Sequence, residues 1–264
     1  MFEEKTKSLL PIIREAGKIM TSADGIGSLT KEKGGDAANL VTAYDVAVQE
    51  FLIEKISVLF PDACFFAEEK KNNAEDLKRD CCFVIDPIDG TANFVHSYQR
   101  SSISVALFSG GEIIFGAVYD PYLDEMFYAI KNGGAFLNDK PIKVSDRNLA
   151  HAFVAFGTSP YYKQEVSEKS FRLCHELYLK TADVRRAGSA AIDLAYLAAG
   201  RNDIFFEFVI FPWDLAAGSI LITEAGGKIT DFDGEEIDYS KPTTAYAAPE
   251  KLYDEAYQIV KKYK

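Results

Sequence analysis

Apolar residues recur at helical spacing along the first twenty residues of the chain, which predicts an amphipathic helix. Its apolar face is formed by Leu9, Leu10, Ile12, Ile13, Ala16, Ile19 and Met20. Pro11 interrupts this helix and indicates either a kink or a late start. Residues 22–38 are rich in glycine, aspartate, lysine and serine, so we expect a loop there. A second helix is predicted from about Thr42 to Phe60, directly before Pro61.

After Pro61 the apolar residues occur in short runs or in alternation, which is typical of strands. Five runs predict strands, at 64–67, 81–85, 101–108, 112–119 and 124–130. Gly110-Gly111 separates two of the alternating runs and predicts a tight hairpin. The first half of the chain is therefore predicted to hold a meander of antiparallel strands beside its helices.

Strand and helix patterns alternate in the second half. We expect strands at 152–157, near Arg185 and at 203–208, helices at 165–180, 189–199 and 214–225, a hairpin around Asp233-Gly234 and a last helix from about 249. The alternation predicts a layered α+β or α/β sandwich. A chain of 264 residues fits a single unit spanning 1–264, with one packed half to about residue 148 and another from about 149.

Composition and charge narrow the class of protein. Hydrophobic residues make up 48% and charged residues 26%, which is typical of a folded globular chain. The formal net charge of −11 repels nucleic-acid backbones and anionic membranes, so we expect neither as a partner. The N-terminus lacks the features of a secretory signal, and the four cysteines form no CxxC pair. We therefore expect a cytoplasmic protein with reduced thiols.

The sequence VIDPIDGTANF places two aspartates three residues apart at the end of an apolar run. We expect Asp86 at the exposed end of a strand, with Pro87 holding it extended and Asp89 one turn of chain later. Two carboxylates this close repel each other unless a proton or a cation lies between them. Gly90 lets a ligand approach the backbone, and Thr91 adds a hydroxyl. These side chains suit Mg²⁺, which prefers oxygen ligands. The alternative interpretation is a polar turn in which the aspartates only cap backbone groups.

Three further acidic positions have both functional and structural interpretations. Glu68-Glu69 ends a strand-like run and could supply metal ligands, but paired glutamates are often only solvated. Asp45 follows Thr42 by three residues, so a capping box competes with a catalytic role. Asp214 opens a predicted helix, where an N-terminal aspartate is common in its own right. The three histidines show no metal-ligand or catalytic spacing, so a histidine base is disfavoured.

Three motifs together resemble those of the inositol monophosphatase family, within the superfamily of lithium-sensitive, Mg²⁺-dependent sugar phosphatases. They are Glu68-Glu69, DPIDGT at 86–91 and WDLAAG at 213–218, supported by 40–45 and 188–191. The resemblance extends from about residue 5 to the C-terminus. It implies a five-layered αβαβα sandwich of the inositol monophosphatase/fructose-1,6-bisphosphatase type, a homodimer, and hydrolysis of a small phosphorylated polyol or sugar. Inositol 1-phosphate is the first substrate that it implies.

The resemblance also implies a set of metal ligands. Glu68, Asp86 and the backbone carbonyl of Ile88 would bind one Mg²⁺ ion. Asp86, Asp89 and Asp214 would bind a second ion, and Glu68 would also contact a third, loosely held one. The expected cofactor is therefore two or three Mg²⁺ ions per active site.

Catalytic and substrate contacts are implied in the same way. Thr91, oriented by Asp45, would activate the attacking water with help from Glu68, and backbone N–H groups of Gly90 and Thr91 would bind phosphate. Substrate contacts are implied at Gly90, Thr91, Gly188, Ser189, Ala190, Glu207 and Asp214. The helix that opens at Ser189 would aim its N-terminus at the substrate. Metal-assisted attack on a phosphate needs no histidine, which agrees with the histidine pattern.

Two stretches depart from the family pattern. Asn39 replaces an aspartate before LVT, and the loop at 31–38 is one residue longer, which leaves the match of Lys33 to the family's loop lysine open. Residues 97–100 replace a Gly-Phe-Pro stretch beside the substrate region. Fructose-1,6-bisphosphatase and 3′-phosphonucleotide phosphatase activities stay open, since Arg185-Arg186 could serve a second phosphate or form a structural salt bridge. A non-enzymatic protein-binding module is the alternative of a different class.

Overall fold

The structure, a computed structural model, describes residues 2–33 and 40–264. Its helices are α1 (Phe2–Lys7), α2 (Leu9–Thr21), α3 (Ala43–Leu59), α4 (Thr91–Val95), α5 (Lys163–Tyr178), α6 (Ala190–Ala198), α7 (Pro212–Glu224) and α8 (Glu250–Val260). Among the described residues, no helix has the length and apolar character needed to cross a membrane. Asn39 and the end of the loop at 31–38 lie outside the described residues.

The strands form three sheets. They are β1 (Thr30–Glu32), β2 (Leu40–Thr42), β3 (Cys64–Ala67), β4 (Cys82–Asp89), β5 (Ser102–Ser109), β6 (Glu112–Asp120), β7 (Glu125–Ile130), β8 (Gly134–Leu137), β9 (Lys140–Ile142), β10 (Phe153–Phe156), β11 (Asp183–Arg185), β12 (Ile204–Ile210), β13 (Gly227–Thr230) and β14 (Thr243–Pro249). β1 pairs antiparallel with β2, so the predicted loop at 22–38 contains a strand. Its partner lies beyond the loop, and a local pattern could not reveal that pairing.

The larger sheet has seven strands in the order β3-β4-β5-β6-β7-β8-β9. β3 and β4 run parallel, and the later neighbours pair antiparallel, which confirms the predicted meander. Gly110 and Gly111 turn the chain between β5 and β6 with φ values of 61° and 88°, as the predicted hairpin requires. β8 and β9 were not predicted, because strands of four and three residues carry too little alternation.

The smaller sheet has five strands in the order β11-β10-β12-β14-β13. β10 runs parallel to both of its neighbours, whereas β14 runs antiparallel to β12 and β13. Because β10 and β12 are parallel neighbours, their carboxyl ends meet at one edge of the sheet. Residues that follow these two strands are thereby brought together, as is common where α/β sheets bind ligands.

Side-chain alternation along the strands explains how the layers stack. In β4, Phe83 packs toward α2 and α3, while Val84 packs toward α6 and α7. In β12, Phe205 packs toward α6 and α7, while Phe206 packs toward α5 and α8. The layers therefore follow the order helices, seven-stranded sheet, helices, five-stranded sheet, helices, which confirms the predicted αβαβα sandwich. The division into two halves near residue 148 stays a prediction.

Two glycines allow close packing of the middle helical layer. A Cβ atom on Gly116 of β6 would lie 2.5 Å from Cγ2 of Ile220 on α7. A Cβ atom on Gly218 of α7 would lie 2.6 Å from Cβ of Leu194 on α6. These contacts fix α7, which carries Asp214 in its first turn, against β6 and α6.

The structure corrects the expectation that Asp86 lies at the exposed end of a strand. β4 continues to Asp89, so Asp86 lies inside a strand and is 2% exposed, rather than at an exposed strand end. Pro87 fits there because the pairing of β4 with β5 shifts register between Asp86 and Asp89. Proline within a sheet is confined to edges and to such irregularities, since it has no N–H group to donate.

Candidate active site

A cleft with a volume of about 320 Å³ gathers the predicted site residues. Those that line it are Glu68, Asp86, Ile88, Asp89, Gly90, Thr91, Gly188, Ser189, Ala190, Glu207 and Asp214. They come from β4, α4, α6, α7, β12 and the turns beside them, so both large sheets contribute. Asp45 lies directly behind Thr91.

Three aspartates form the acidic centre of the cleft. Carboxylate oxygens of Asp86, Asp89 and Asp214 all lie within 4.8 Å of one another. Asp86 and Asp89 come from β4, and Asp214 is the third residue of α7. The Ser104 hydroxyl on β5 donates to the Trp213 carbonyl at 2.9 Å and thereby ties the start of α7 to the larger sheet.

Backbone N–H groups of nearby residues in the chain hold Asp86 and Asp214. The Ile88 N–H group donates to Oδ1 of Asp86 at 3.0 Å. The Phe211 N–H group donates to Oδ2 of Asp214 at 3.3 Å, as an acidic residue in the first turn of a helix often accepts. The structural interpretation of Asp214 is therefore confirmed, and its carboxylate also faces the other two aspartates.

The start of α6 holds Asp89. Ser189 is the N-cap residue of α6, and its hydroxyl accepts from the Ile192 N–H group at 3.3 Å and donates to Oδ2 of Asp89. The Ala191 N–H group donates to the same oxygen at 2.8 Å. The helix N-terminus that we expected to aim at the substrate thus directs one of its free N–H groups at Asp89.

Burial raises the pKa of all three aspartates. The pKa values of Asp86 and Asp214 are raised well above the ordinary value, first by burial and then by the neighbouring carboxylates. The pKa of Asp89 is raised to about 6, because burial outweighs the hydrogen bonds from Ser189 and Ala191. Burial and mutual repulsion therefore favour the protonated forms of these aspartates over the ionised forms until a cation compensates their charge.

Glu68 and Glu69 follow β3 and face a lysine. Lys33 Nζ lies 3.0 Å from Oε1 of Glu68 and 2.5 Å from Oε1 of Glu69. The two glutamate side chains are only 14% and 11% exposed, so the interpretation as a solvated surface pair is wrong. Burial raises the pKa of Glu68 to about 7, although the Lys33 ammonium opposes the shift. Lys33, whose match to the family pattern was open, lies in the cleft.

Thr91 lies between two acceptors. Its hydroxyl oxygen is 3.2 Å from Oδ1 of Asp45 and 3.1 Å from the carbonyl oxygen of Ile88, and it can donate its single hydrogen to only one of them at a time. Oδ2 of Asp45 accepts from the N–H group and the hydroxyl of Thr42, at 2.7 and 2.6 Å. The capping box at the start of α3 is therefore confirmed, and the same carboxylate also reaches Thr91.

Gly90 turns the chain from β4 into α4. Its φ of 86° is left-handed, and an added Cβ atom would lie 3.0 Å from the carbonyl oxygens of Arg100 and Gly188. The Ser101 hydroxyl donates to the Gly90 carbonyl at 2.9 Å. Among the described residues that line the cleft, none belongs to 97–100. Arg100 of the divergent segment nevertheless contacts the cleft residue Asn93, whose side-chain amide donates to its carbonyl at 2.6 Å. The expectation that this segment borders the substrate region stays a prediction.

Glu207 faces the cleft from β12. Its Oε1 accepts from the N–H group of Ser159 at 3.0 Å and from the Ser159 hydroxyl at 3.2 Å. Gly157 makes room for this carboxylate, because a Cβ atom there would lie 2.0 Å from it. Burial raises the pKa of Glu207 to about 7 despite the bonds from Ser159.

The paired arginines have separate surroundings. Arg185 forms an ion pair with Asp183 and lies 4.7 Å from the ring centroid of Phe153, outside the cleft. Arg186 lines the cleft and donates to the Thr158 hydroxyl at 3.0 Å. Only the structural interpretation fits Arg185, whereas Arg186 is available to an anionic group of a ligand.

Several residues of the cleft were not predicted from the sequence, among them three aromatic residues and one buried acid. Tyr161 and Tyr162 follow β10, and Phe211 precedes α7, so these rings meet only because β10 and β12 are neighbours. Asp193 on α6 is 3% exposed, and burial raises its pKa well above the ordinary value. A single acid within the apolar run AAIDLAYLAA was the one local signal for it.

Comparisons with known proteins agree with this geometry. A model of the inositol monophosphatase family matches residues 2–264. The Nus factor SuhB of Pasteurella multocida is 40% identical over 195 residues, which cover 74% of this chain and 72% of that protein. A fructose-1,6-bisphosphatase/inositol-1-monophosphatase of Thermotoga maritima is 36% identical over 227 residues, which cover 86% of this chain and 84% of that protein.

A solved structure supports the same assignment. The inositol monophosphatase (IMPase) of Thermotoga maritima matches with a TM-score of 0.86 and 32% sequence identity, and the match covers 98% of each chain. The family match over the whole chain and the shared fold agree with each other. The chain belongs to the inositol monophosphatase family and is a phosphatase that hydrolyses phosphoric monoesters.

Proposed function

We propose that the protein hydrolyses a small sugar or polyol phosphate monoester in a Mg²⁺-dependent reaction, with inositol 1-phosphate as the first candidate and myo-inositol and phosphate as products. The observation that carries this proposal is the group of three buried aspartates whose oxygens lie within 4.8 Å of one another. Glu68 and Thr91 line the same cleft as these aspartates. Asp45 lies behind Thr91 and accepts a hydrogen bond from its hydroxyl.

The donor set fits divalent metal ions. Asp86, Asp89 and Asp214 offer hard carboxylate oxygens, which Mg²⁺ prefers. Protein donors act on Oδ1 of Asp86 and on Oδ2 of Asp89 and Asp214, so each carboxylate can present its second oxygen to a cation. We assign Glu68 and the carbonyl of Ile88 to the same ligand set, for two or three ions. Such ions, when bound, neutralise phosphate charge and lower the pKa of a bound water.

Thr91 and Asp45 are suited to take a proton from the attacking water. When the Thr91 hydroxyl donates its hydrogen to Asp45, its oxygen is free to accept a hydrogen bond from water. The Ile88 carbonyl then loses its hydrogen-bond donor and can face a cation instead. Burial raises the pKa of Asp45, which makes it a better proton acceptor than an exposed aspartate. Glu68, with a pKa of about 7, would assist.

The rest of the cleft would bind the substrate. We assign the N–H groups of Gly90 and Thr91 to phosphate oxygens. The alcohol part would contact Gly188, Ser189, Ala190, Glu207 and Asp214. Since the Ser189 hydroxyl donates to Asp89, its direct contribution to the substrate would come from its backbone.

Fructose-1,6-bisphosphate is a second candidate substrate. Arg186 places a guanidinium in a cleft that is otherwise rich in carboxylates, and a second phosphate would pair well with it. The Thermotoga maritima relative bears both enzyme names.

We also propose, from the family resemblance, a cytoplasmic homodimer. A relative bears the name Nus factor SuhB, so a protein-binding role is the non-enzymatic alternative.

A phosphate-release screen tests the proposal. The purified protein would be assayed with inositol 1-phosphate, fructose 1,6-bisphosphate, glycerol 2-phosphate and 3′-phosphoadenosine 5′-phosphate, with Mg²⁺ and with a chelator. We expect Mg²⁺-dependent release, fastest from inositol 1-phosphate. Release that persists unchanged in the chelator would contradict the metal-dependent mechanism, and an Arg186→Ala variant that slows only the bisphosphate would favour the second candidate.

A further inference from the structure

Asn93 joins two segments of the chain with its side-chain amide. Its Nδ2 atom donates to the carbonyl of Arg100 at 2.6 Å and to the carbonyl of Ala187 at 2.9 Å. An amide nitrogen carries two hydrogens, so these two acceptors use both of them. The side chain lines the cleft, yet neither the metal ligands nor the proton path nor the phosphate contacts of the proposed mechanism include it.

The first of the two segments is the divergent segment, which wraps around Asn93. The N–H group of Tyr98 donates to the Asn93 carbonyl at 2.8 Å, and two residues later Arg100 accepts from the Asn93 side chain. Ser97 and Gln99 have φ values of 53° and 57°, in the left-handed region that non-glycine residues seldom occupy. Such a backbone persists only where surrounding contacts fix it. The contacts with Asn93 therefore hold this segment in a conformation that it would not favour on its own.

Arg100 is anchored by its guanidinium as well as by its carbonyl. Nη1 donates to the Tyr196 hydroxyl at 3.1 Å and lies 3.5 Å from Oδ2 of Asp120, whose carboxylate is fully buried. Asp120 ends β6, and Tyr196 lies on α6, the helix whose first turn holds Asp89. A change in the Arg100 side chain would therefore shift its carbonyl relative to Asn93.

The second segment is the connection that leads from β11 into α6. Asn93 holds the carbonyl of Ala187 in this connection, and the Ala187 N–H group donates to the buried carboxylate of Asp193. Gly188 follows with a φ of 82°, and a Cβ atom on it would lie 2.9 Å from Nδ2 of Asn93 and 3.0 Å from Nη1 of Arg186. The amide therefore fixes the backbone beside two groups that line the cleft, Gly188 and the Arg186 guanidinium.

We propose that Asn93 is a positioning residue, which fixes the connection before α6 against the divergent segment and thereby sets the affinity for the alcohol part of the substrate. This inference rests on the proposed phosphatase function and assigns part of its substrate selection to residues that need not touch the substrate. The two hydrogen bonds of the amide reach none of the three aspartates and not Thr91. Their loss should therefore act on KM more than on kcat.

The kinetic test uses Asn93→Leu, which preserves the branched shape of the side chain and removes both hydrogen bonds. KM for inositol 1-phosphate should rise roughly tenfold while kcat stays within about twofold of the wild type, because contact with the alcohol is lost equally in the ground state and in the transition state. Tyr98→Leu is the matched control, since the Tyr98 side chain is 65% exposed and lies outside the cleft. Both of its constants should equal those of the wild type. An unchanged KM in Asn93→Leu, or a kcat that falls by more than KM rises, would overturn the proposal.

A double-mutant cycle tests whether the divergent segment acts through Asn93. Arg100→Met keeps the apolar stem and loses the contacts with Asp120 and Tyr196. It should raise KM severalfold in the wild type and add little in an Asn93→Leu background. Should Arg100→Met fail to fold, Arg100→Lys takes its place, because it retains a charge for Asp120. Full additivity of the two substitutions would overturn the coupling.

Backbone hydrogen exchange measures the same positioning without turnover. The Ala187 N–H group should exchange faster in Asn93→Leu and in Arg100→Met than in the wild type, because its peptide is held less firmly. Tyr98→Leu should exchange like the wild type. Equal exchange in all of these proteins would contradict the inference even if phosphate is released normally. Conversely, a wild type that releases phosphate from no ester would contradict the proposed function, while the exchange would still decide this inference.

Discussion

Asp45 serves the fold with one carboxylate oxygen and the site with the other. Its Oδ2 completes the cap of α3 with Thr42, and its Oδ1 reaches the Thr91 hydroxyl at 3.2 Å. The sequence presented these as competing interpretations, and the geometry accommodates both. A local spacing such as T-x-x-D reveals the cap, because cap partners are close in sequence. Contact with Thr91 depends on the packing of α3 against β4, which no local spacing encodes.

A first prediction concerns the hydroxyl of Thr91. Thr91→Val preserves the side-chain shape and removes the proton path to Asp45, so kcat should fall by roughly hundredfold or more. Thr91→Ser retains the hydroxyl and should retain most of the activity. Steady-state phosphate release from inositol 1-phosphate measures both variants. Wild-type kcat in Thr91→Val would remove Thr91 from the proposed mechanism.

A second prediction concerns the charge of Asp89. Asp89→Asn retains a carbonyl that can accept from Ala191, but it loses a negative charge at the acidic centre. We expect Mg²⁺-dependent phosphate release to fall by roughly hundredfold or more. The exposed Asp62→Asn is the matched control and should behave like the wild type. Thermal denaturation in a chelator should show that both variants stay folded, and undiminished turnover in Asp89→Asn would refute the metal assignment.

At the scale of elements, β4 shows why part of the site could be predicted and part could not. Its apolar run and the D-P-x-D spacing indicate two carboxylates near each other, and the structure brings both to the cleft. The apolar run ends at Ile85, which suggested that Asp86 lies at an exposed strand end. The strand instead continues to Asp89, because its register against β5 shifts between Asp86 and Asp89, where Pro87 with its missing N–H group is tolerated. Pairing irregularities belong to two strands, so a pattern within one strand does not reveal them.

The contact between α6 and α7 gives a third prediction. Alanine is normally favoured over glycine inside a helix by about 0.5–1 kcal/mol. Gly218→Ala should nevertheless lower the free energy of unfolding by about 1–3 kcal/mol, because the new Cβ atom would lie 2.6 Å from Cβ of Leu194. Chemical denaturation measures the change.

A double-mutant cycle identifies the cause of that change. If the contact with Leu194 is responsible, Gly218→Ala should be less harmful in a Leu194→Ala background than in the wild type. A stabilised Gly218→Ala variant, or one whose effect is independent of residue 194, would show that α6 and α7 are not packed this closely.

At the scale of the whole molecule, the site depends on contacts between segments that are far apart in the chain. The motifs around Asp86 and Asp214 can be recognised separately, and the resemblance to the family predicts that they meet. The aromatic side chains that line the cleft have no such precedent in the sequence pattern. Tyr162 and Phe211 become neighbours because β10 and β12 run in parallel, and aromatic residues beside turns are individually unremarkable in a sequence. Contacts of this kind depend on the pairing of distant strands, which no local sequence pattern encodes.

A fourth prediction follows from the raised pKa values of the buried acids. The pKa is raised to about 6 for Asp89 and to about 7 for Glu68 and Glu207, first by burial in each case. An acid whose pKa is higher in the folded state binds its proton more tightly when folded. Its stabilising contribution is complete below the unfolded pKa of about 4 and is lost as the pH rises through 6 to 7. In a chelator, the unfolding temperature should therefore fall from pH 5.5 to pH 8.

Mg²⁺ should oppose that fall. Because bound cations replace the protons, the unfolding temperature at pH 8 should rise on addition of Mg²⁺, and it should rise less at pH 5.5 where protons compete. Differential scanning calorimetry at the two pH values measures both effects. An unfolding temperature that increases with pH in the chelator would mean that these acids are not protonated in the metal-free protein.

The central claim is that Asp86, Asp89 and Asp214 hold the divalent ions of a phosphatase. Isothermal titration calorimetry with Mg²⁺ at pH 8 tests it most directly, in the wild type, in Asp86→Asn and in the exposed control Asp62→Asn. We predict at least two bound ions in the wild type and in the control, and a loss of Mg²⁺ binding by roughly hundredfold or more in Asp86→Asn. Equal Mg²⁺ binding by Asp86→Asn and the wild type would contradict the account.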